Sequence, residues 1–252
     1  MSRFIYRYIS FESFVGMIQS QALTFVLPEV WDDPHENKPF IQFLESKENI
    51  YERMLFVACF YKTYGQCWTQ LAESDAMWRI YSYNNRAIRI KVTEEKIQQL
   101  INVHMLPVNY TDAPFKPKNK EFDYLASISQ KRIAFEHEKE IRLINYYRFS
   151  SDEDFEKHIK ALMVANHHPQ QSAIIDSLFP NLSLEKQVEK ICELLNIGIN
   201  KQRVKDISFE HIPEFIGGVM VHPQAPQWYV AVVQEFCKRN NIPFDGKSML
   251  YV

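Results

Sequence analysis

Three charged side chains, Glu138, Glu140 and Arg142, stand two residues apart in the run F-E-H-E-K-E-I-R-L-I. The run otherwise predicts a β-strand, in which alternate side chains share one face and lie roughly 7 Å apart. Two carboxylates at this distance from each other, with an arginine beside them, have two explanations. They form either a buried ion cluster or a site where positive charge develops during a reaction. In a reactive site, one glutamate would accept hydrogen bonds from ribose hydroxyls and stabilise an oxocarbenium-like cation. The pattern leaves both interpretations open.

A second residue of interest is Arg7, on the first predicted strand, Phe4 to Ile9. Alternation places its side chain on the apolar side of that strand. It would either pair with one of the glutamates or clamp a phosphate, because a planar guanidinium offers two parallel donors. The six glycines form no G-x-G-x-x-G or P-loop pattern. A nucleotide bound here must therefore be held without a glycine-rich loop.

Two aromatic residues three positions apart, Trp78 and Tyr81, lie on a predicted helix that Ser74 caps. At that spacing they are either core residues or a wall on which a flat ring stacks.

The turn W-D-D-P-H-E brings Asp32, Asp33 and His35 close together. Such a group suggests the metal site of a divalent-ion-dependent nuclease. A turn whose aspartate caps the following helix explains the same residues, and we prefer it. We therefore assign no metal ligand.

The elements that must position these residues alternate between strand and helix. The chain opens as strand, helix and strand, with later strands predicted at Leu55 to Tyr61, Arg86 to Val92 and Ser248 to Val252. Charged helical segments between 151 and 200 read as an insertion. We expect a single α+β domain over 1–252, with a mixed, largely antiparallel sheet flanked by helices and an inserted helical lobe.

Composition excludes several classes of protein. With 29 basic and 31 acidic side chains the formal net charge is −2, so a strongly basic nucleic-acid binder is disfavoured. No long apolar run or signal peptide is visible, which predicts a cytoplasmic protein that makes no use of a membrane. The four cysteines form no C-x-x-C pair, as expected of reduced thiols without a metal.

A series of short motifs runs in order along the chain: R-Y, D-D-P-x-E, M-W-x-x-Y and E-x-E-x-R. This series resembles bacterial domain-of-unknown-function family twenty-nine seventy-one, with departures at Asp32, where the family usually has asparagine, and Phe135, where it usually has tryptophan. The family occurs in defence and toxin contexts. The resemblance implies a toxin or phage-defence effector, for which an antitoxin would be a partner.

A weaker resemblance is to the ADP-ribosyltransferase layout, although no S-T-S triplet follows a strand here. It implies that Arg7 holds the nicotinamide ribose or the pyrophosphate of NAD, and that Trp78 or Tyr81 stacks on nicotinamide. Glu140 would bind ribose and stabilise the cation, and Glu138 would activate a nucleic-acid or protein acceptor. The expected site thus has NAD as cofactor, Glu140 and Glu138 as catalytic residues, and as cofactor-binding residues Arg7, Tyr8, Trp78, Tyr81 and Arg142.

Two other functions stay open at this point. One is a non-catalytic nucleotide-binding or protein-interaction module, in which the glutamates and Arg142 form a structural cluster. The other is the metal-dependent nuclease.

Overall fold

The computed structural model describes residues 3–31, 33, 35–47, 53, 56, 60, 63–117, 120–146 and 203–251. It has an α+β fold, with helices around a large and mostly antiparallel sheet, which confirms the predicted class. The helical insertion predicted at 151–200 lies outside the described residues.

The main sheet contains nine strands within the described residues. They are β1 (Phe4–Ser10), β2 (Ala22–Val26), β3 (Tyr64–Thr69), β4 (Ala87–Thr93), β5 (Val103–Pro107), β8 (Glu140–Asn145), β9 (Val204–Ser208), β10 (Gly218–Val221) and β11 (Phe244–Lys247). Their order is β11-β10-β4-β1-β3-β2-β9, while β8 pairs with β3 and β5. A separate parallel ribbon joins β6 (Asn109–Tyr110) to β7 (Gln130–Lys131).

The helices are α1 (Phe11–Ser20), α2 (Lys38–Glu45), α3 (Asp75–Tyr81), α4 (Glu94–Gln98), α5 (Lys120–Ser127), α6 (Ile212–Phe215) and α7 (Gln227–Arg239). The predicted caps are present: Ser10 accepts a hydrogen bond from the backbone N–H of Ser13, and Ser74 accepts one from Met77. Within the described residues, no helix combines the length and the apolar composition that a membrane crossing requires.

The sheet divides beside β3. Strand β8 pairs with β3 over its whole length, from Tyr64↔Asn145 to Thr69↔Glu140. On the other edge, β1 meets β3 only at Tyr6↔Thr69, and β2 meets it only at Val26↔Gly65. Beyond Tyr6, strand β1 therefore leaves β3. Residues 7–10 border an opening between the two strands instead of continuing the ladder.

The main core lies on the face of the sheet that α1 and α7 cover. Its central residues include Ile5 on β1, Ile88 and Ile90 on β4, Phe14 on α1 and Val233 on α7, all fully buried. The apolar alternation of the first strand predicts this face, because period-two spacing places alternate residues against the core.

The predicted strand at Leu55 to Tyr61 is wrong at its described positions, since Phe56 and Phe60 have helical conformation. Both side chains pack on α2, with 4.3 Å between the ring centroids of Phe60 and Phe40 and 4.7 Å between those of Phe56 and Phe43. A short apolar run alone cannot distinguish a buried strand from a buried helix. The buried strand is the next segment, β3.

The final predicted strand, Ser248 to Val252, is also misplaced within the described residues. The strand is β11, which ends at Lys247. Ser248 instead donates a hydrogen bond from its hydroxyl to Glu73 over 2.9 Å, and the chain turns after it.

Candidate functional site

The charged segment has a different backbone from the predicted strand. Strand β8 begins at Glu140, whereas Glu138 ends a 3-10 helix, Ile133–Glu138. Lys139 lies between them with a left-handed φ of 43°. This turn returns both carboxylates to the same side, where Glu138 Oε2 and Glu140 Oε2 accept hydrogen bonds from Lys131 Nζ over 2.7 and 2.9 Å. The predicted pairing of the glutamates is therefore present, although Glu138 is outside the strand.

The two glutamates belong to a buried ion cluster. Arg142 donates from Nε to Glu140 Oε1 over 2.8 Å and from Nη2 to Glu36 Oε2 over 2.7 Å. Its Nη1 donates to the backbone oxygen of Ile128. Lys131 also pairs with Glu36, at 3.2 Å. Three carboxylates thus share two cations, and the formal charge of the cluster is negative.

The cluster keeps Glu140 ionised. Burial alone would raise the pKa of Glu140, but the charges of Arg142 and Lys131 outweigh it and lower that pKa to about 2. Burial raises the pKa of Glu36 despite the same two cations. Although burial alone would lower the pKa of Arg142 and of Lys131, the carboxylates raise both.

Two aromatic residues hold the cluster in place. The Tyr110 hydroxyl accepts a hydrogen bond from the backbone N–H of Glu140 over 2.6 Å. The Arg142 guanidinium lies 4.1 Å from the centre of the Trp31 ring, within the range of cation–π attraction. Gly65 leaves room for that ring, because a Cβ there would stand only 2.5 Å from Trp31 Cζ2.

A cavity of about 290 Å³ opens where β1 leaves β3. Five residues that the sequence singles out line it together: Arg7, Tyr8, Tyr81, Glu138 and Glu140. They come from β1, α3, the 3-10 helix and β8, and up to 133 positions separate them in the chain. Other lining residues include Tyr6, Cys67, Thr69, Ser10 and Ser13.

Arg7 is the residue of this cavity without a counter-charge. Its side chain is partly buried, and it forms no ion pair with the carboxylates of the described residues. Burial lowers its pKa to about 10, so it stays protonated at neutral pH. Ser10 and Ser13, which start helix α1, also line the cavity. The positive end of the helix therefore lies at the same cavity as the guanidinium.

Not every residue assigned to NAD contacts the cavity. Trp78 does not line it and is fully buried, with its ring edge-on to Tyr8 at 4.7 Å and its Nε1 donating to Glu73. Ring stacking therefore falls to Tyr81, which is 41% exposed. Arg142 does not line the cavity either, and its side chain has no solvent exposure. It can therefore affect a bound ligand only through Glu140, which it contacts.

The W-D-D-P-H-E turn has a structural explanation at its described positions. Asp33 accepts hydrogen bonds from the Arg132 guanidinium, at 3.1 and 3.2 Å, and from the backbone N–H of His35. Asp32 lies outside the described residues. In the part of the chain that the structure describes, no three His, Cys, Asp or Glu residues are arranged to hold a metal ion. The metal-dependent nuclease therefore stays an untested alternative.

Sequence reasoning did not assign four contributors to this site: Glu36, Lys131, Tyr110 and Cys67. The Cys67 thiol lines the cavity, where its burial, and next the charge of Glu140, raise its pKa. Glu36 was visible only as part of the turn. Lys131 had no local signal, because its partners lie on other elements.

Comparison with protein-family models, with curated proteins and with solved structures finds no match to this chain. The family resemblance and the ADP-ribosyltransferase layout therefore stay predictions.

Proposed function

We propose that the protein is an ADP-ribosyltransferase-like enzyme that cleaves the bond between nicotinamide and ribose in NAD and transfers the ADP-ribose. One observation carries the proposal: an arginine without a counter-charge and a carboxylate that is held ionised line the same cavity. NAD joins an anionic pyrophosphate to a cationic pyridinium ring, so its charges complement the two walls.

Arg7 is suited to the anionic part of the ligand. Glu138 and Glu140 already have ion-pair partners in Lys131 and Arg142, and Arg7 pairs with neither of them. A guanidinium that is partly removed from water favours a bidentate phosphate partner. The N-terminal end of α1 adds further positive potential at the same cavity.

Tyr81 and Glu140 are suited to the cationic part. The exposed share of the Tyr81 ring allows it to stack on nicotinamide. Positive charge grows on the ribose as the glycosidic bond breaks. A preoriented carboxylate stabilises that charge without first having to reorganise. The low pKa of Glu140 keeps the necessary negative charge across the neutral range.

The two glutamates differ in their free hydrogen-bonding capacity. Both oxygens of Glu140 are occupied, Oε1 by Arg142 and Oε2 by Lys131. Glu138 binds Lys131 through Oε2, and no hydrogen bond within the described residues reaches its Oε1. A fixed carboxylate suits electrostatic stabilisation, whereas a free oxygen can accept a proton. This asymmetry supports Glu140 as the stabiliser and Glu138 as the base.

The biological setting of this activity follows from the family resemblance alone. On that basis we propose a toxin or phage-defence effector of the cytoplasm, with a macromolecular acceptor of ADP-ribose and with an antitoxin as a candidate partner.

The experiment is to incubate the full chain with NAD and to measure nicotinamide by liquid chromatography. We expect the wild type to release nicotinamide, and we expect Arg7→Met and Glu140→Gln to release far less of it. Glu136→Gln is the matched control, because Glu136 is exposed on the same 3-10 helix and its ion pair is with the exposed Lys139. Absence of NAD consumption by the wild type would overturn the proposal.

A second candidate is a nucleotide-binding module without catalysis. The full occupation of both Glu140 oxygens by cations favours it, because such an arrangement also describes a structural ion cluster. This candidate predicts that NAD and ADP-ribose raise the melting temperature of the wild type while NAD stays intact over hours. Turnover of NAD would exclude it.

A further inference from the structure

We propose that the nucleophile admitted by this cavity is water, so that the enzyme hydrolyses NAD to nicotinamide and ADP-ribose. The inference rests on the proposed function and specifies its acceptor. It differs from the nucleic-acid or protein acceptor that the sequence resemblance implies.

The size of the cavity is the first argument. Its volume of about 290 Å³ is at the small end of ligand pockets, which span roughly 300 to 1,000 Å³. Once the nicotinamide and its ribose occupy the cavity, the remaining space suits a water molecule better than a side chain or a base of a macromolecule.

The position of the base is the second argument. Glu138 is only 6% exposed. It is the last residue of the 3-10 helix, and helix α3 packs against that 3-10 helix. Burial is the main cause of the raised pKa of the Tyr81 phenol on α3, and the charge of Glu138 is the second cause. Glu138 lines the cavity, so its free Oε1 is reached from within it. A macromolecular nucleophile would have to enter the cavity to meet this nearly buried base.

The chemistry balances with water as the only co-reactant. The bond between ribose C1′ and the nicotinamide nitrogen breaks, and its electron pair returns to the ring, which leaves as neutral nicotinamide. A bond forms between C1′ and the water oxygen. The proton lost by water passes to Glu138 Oε1 and then to solvent, giving ADP-ribose and one proton.

The first test measures products from the wild type with NAD as the sole additive. We expect nicotinamide and free ADP-ribose in equal amounts. The inference is overturned if nicotinamide exceeds free ADP-ribose because ADP-ribose accumulates on the protein, or if RNA, DNA or cell protein, added in a second assay, takes up most of the ADP-ribose. If the wild type releases no nicotinamide at all, the proposed function itself fails.

A competition between alcohols tests the size argument on the wild type. Methanol should capture part of the ADP-ribose as the methyl glycoside, and tert-butanol, at the same concentration, should capture at least tenfold less. Equal capture of the two alcohols would show that the nucleophile site is open, and would overturn the inference.

A variant tests the base. Glu138→Gln should slow hydrolysis by about 10² to 10⁴-fold, and azide, which needs no base, should restore nicotinamide release as ADP-ribosyl azide. Glu136→Gln should match the wild type. Hydrolysis at the wild-type rate in a folded Glu138→Gln protein, or loss without azide rescue, would contradict the role of Glu138. If Glu138→Gln does not fold, the alcohol competition on the wild type decides.

Discussion

The Nε of Arg142 donates a hydrogen bond to Glu140 Oε1 over 2.8 Å, and both side chains are almost completely removed from solvent. Arg142 is thus the residue that fixes and ionises Glu140, while Glu140 itself lines the cavity. The ion cluster and the candidate active site are therefore not alternatives. The cluster is the support of the site.

Loss of Arg142 should be costly. Arg142→Met leaves the buried carboxylates of Glu140 and Glu36 with Lys131 as their shared cation, and we expect a loss of about 3 to 5 kcal/mol in the free energy of unfolding. Urea denaturation measures it. As the control, Arg79→Met removes an exposed ion pair with Asp75 and should leave the unfolding midpoint nearly unchanged. Similar midpoints for the two variants would contradict a structural role for the cluster.

The stability due to Glu140 should depend on pH in a defined direction. Its pKa is about 2 in the folded protein against an ordinary value of 4.5, so its ionised form stabilises the fold. That contribution is fully present above the unfolded-state pKa and is lost as pH falls through the folded-state value. We expect the stability difference between wild type and Glu140→Gln to be constant near neutrality and to shrink between about pH 4.5 and pH 2. A gap that grows on acidification would contradict this assignment.

The contact between Gly65 and Trp31 makes a specific prediction. A Cβ at position 65 would lie 2.5 Å from Trp31 Cζ2 and 3.1 Å from Ile144 Cδ1. Gly65→Ala must therefore move the ring that covers Arg142, and should destabilise by about 1 to 3 kcal/mol.

The matched control is Gly16→Ala in helix α1, where nothing lies within 4 Å of the added carbon. It should raise stability by about 0.5 to 1 kcal/mol, because alanine is the better helix former. Equal changes at positions 65 and 16, measured by thermal unfolding, would rule out the Trp31 contact.

Arg7 should matter for ligand binding and not for folding. Because it has no carboxylate partner in the described residues, Arg7→Met should leave the melting temperature unchanged or higher. The same variant should bind ADP-ribose about 10 to 150-fold more weakly, the range for a lost charged hydrogen bond of roughly 1.5 to 3 kcal/mol. Calorimetric titration measures the affinity of the wild type and of Arg7→Met for ADP-ribose. The control is Arg3→Met, which removes an exposed ion pair with Glu94. Unchanged affinity in Arg7→Met would remove Arg7 from the site.

The sequence predicts much of this fold because local signals agree with tertiary structure in the amphipathic elements. Strand β1, helix α1 with its Ser10 cap and helix α7 follow directly from apolar spacing. The strand predicted over Leu55 to Tyr61 is wrong at Phe56 and Phe60, because an apolar run suits a strand or a buried helix equally. Packing against the phenylalanines of α2 decides it.

The site was predictable in part. The ADP-ribosyltransferase resemblance implies that Arg7, Tyr81 and Glu140 share one site, and all three line the cavity, but it does not predict the supporting residues. Lys131 reaches the glutamates because the β6–β7 ribbon places it there, and Glu36 because its turn folds over Arg142. The contact of Glu36 with Arg142 joins residues 106 positions apart, and the contacts of Lys131 with Glu138 and Glu140 join different elements. Spacing along one chain carries no information about them.

The most direct measurement is the turnover number for nicotinamide release at saturating NAD in wild type and Glu140→Gln, together with the dissociation constant of NAD for each. Glu140 is expected to act on the transition state, so the variant should lower kcat by on the order of 10²-fold or more while binding NAD within a few-fold of the wild type. An unchanged kcat in a folded Glu140→Gln protein, or a loss confined to NAD binding, would contradict the account.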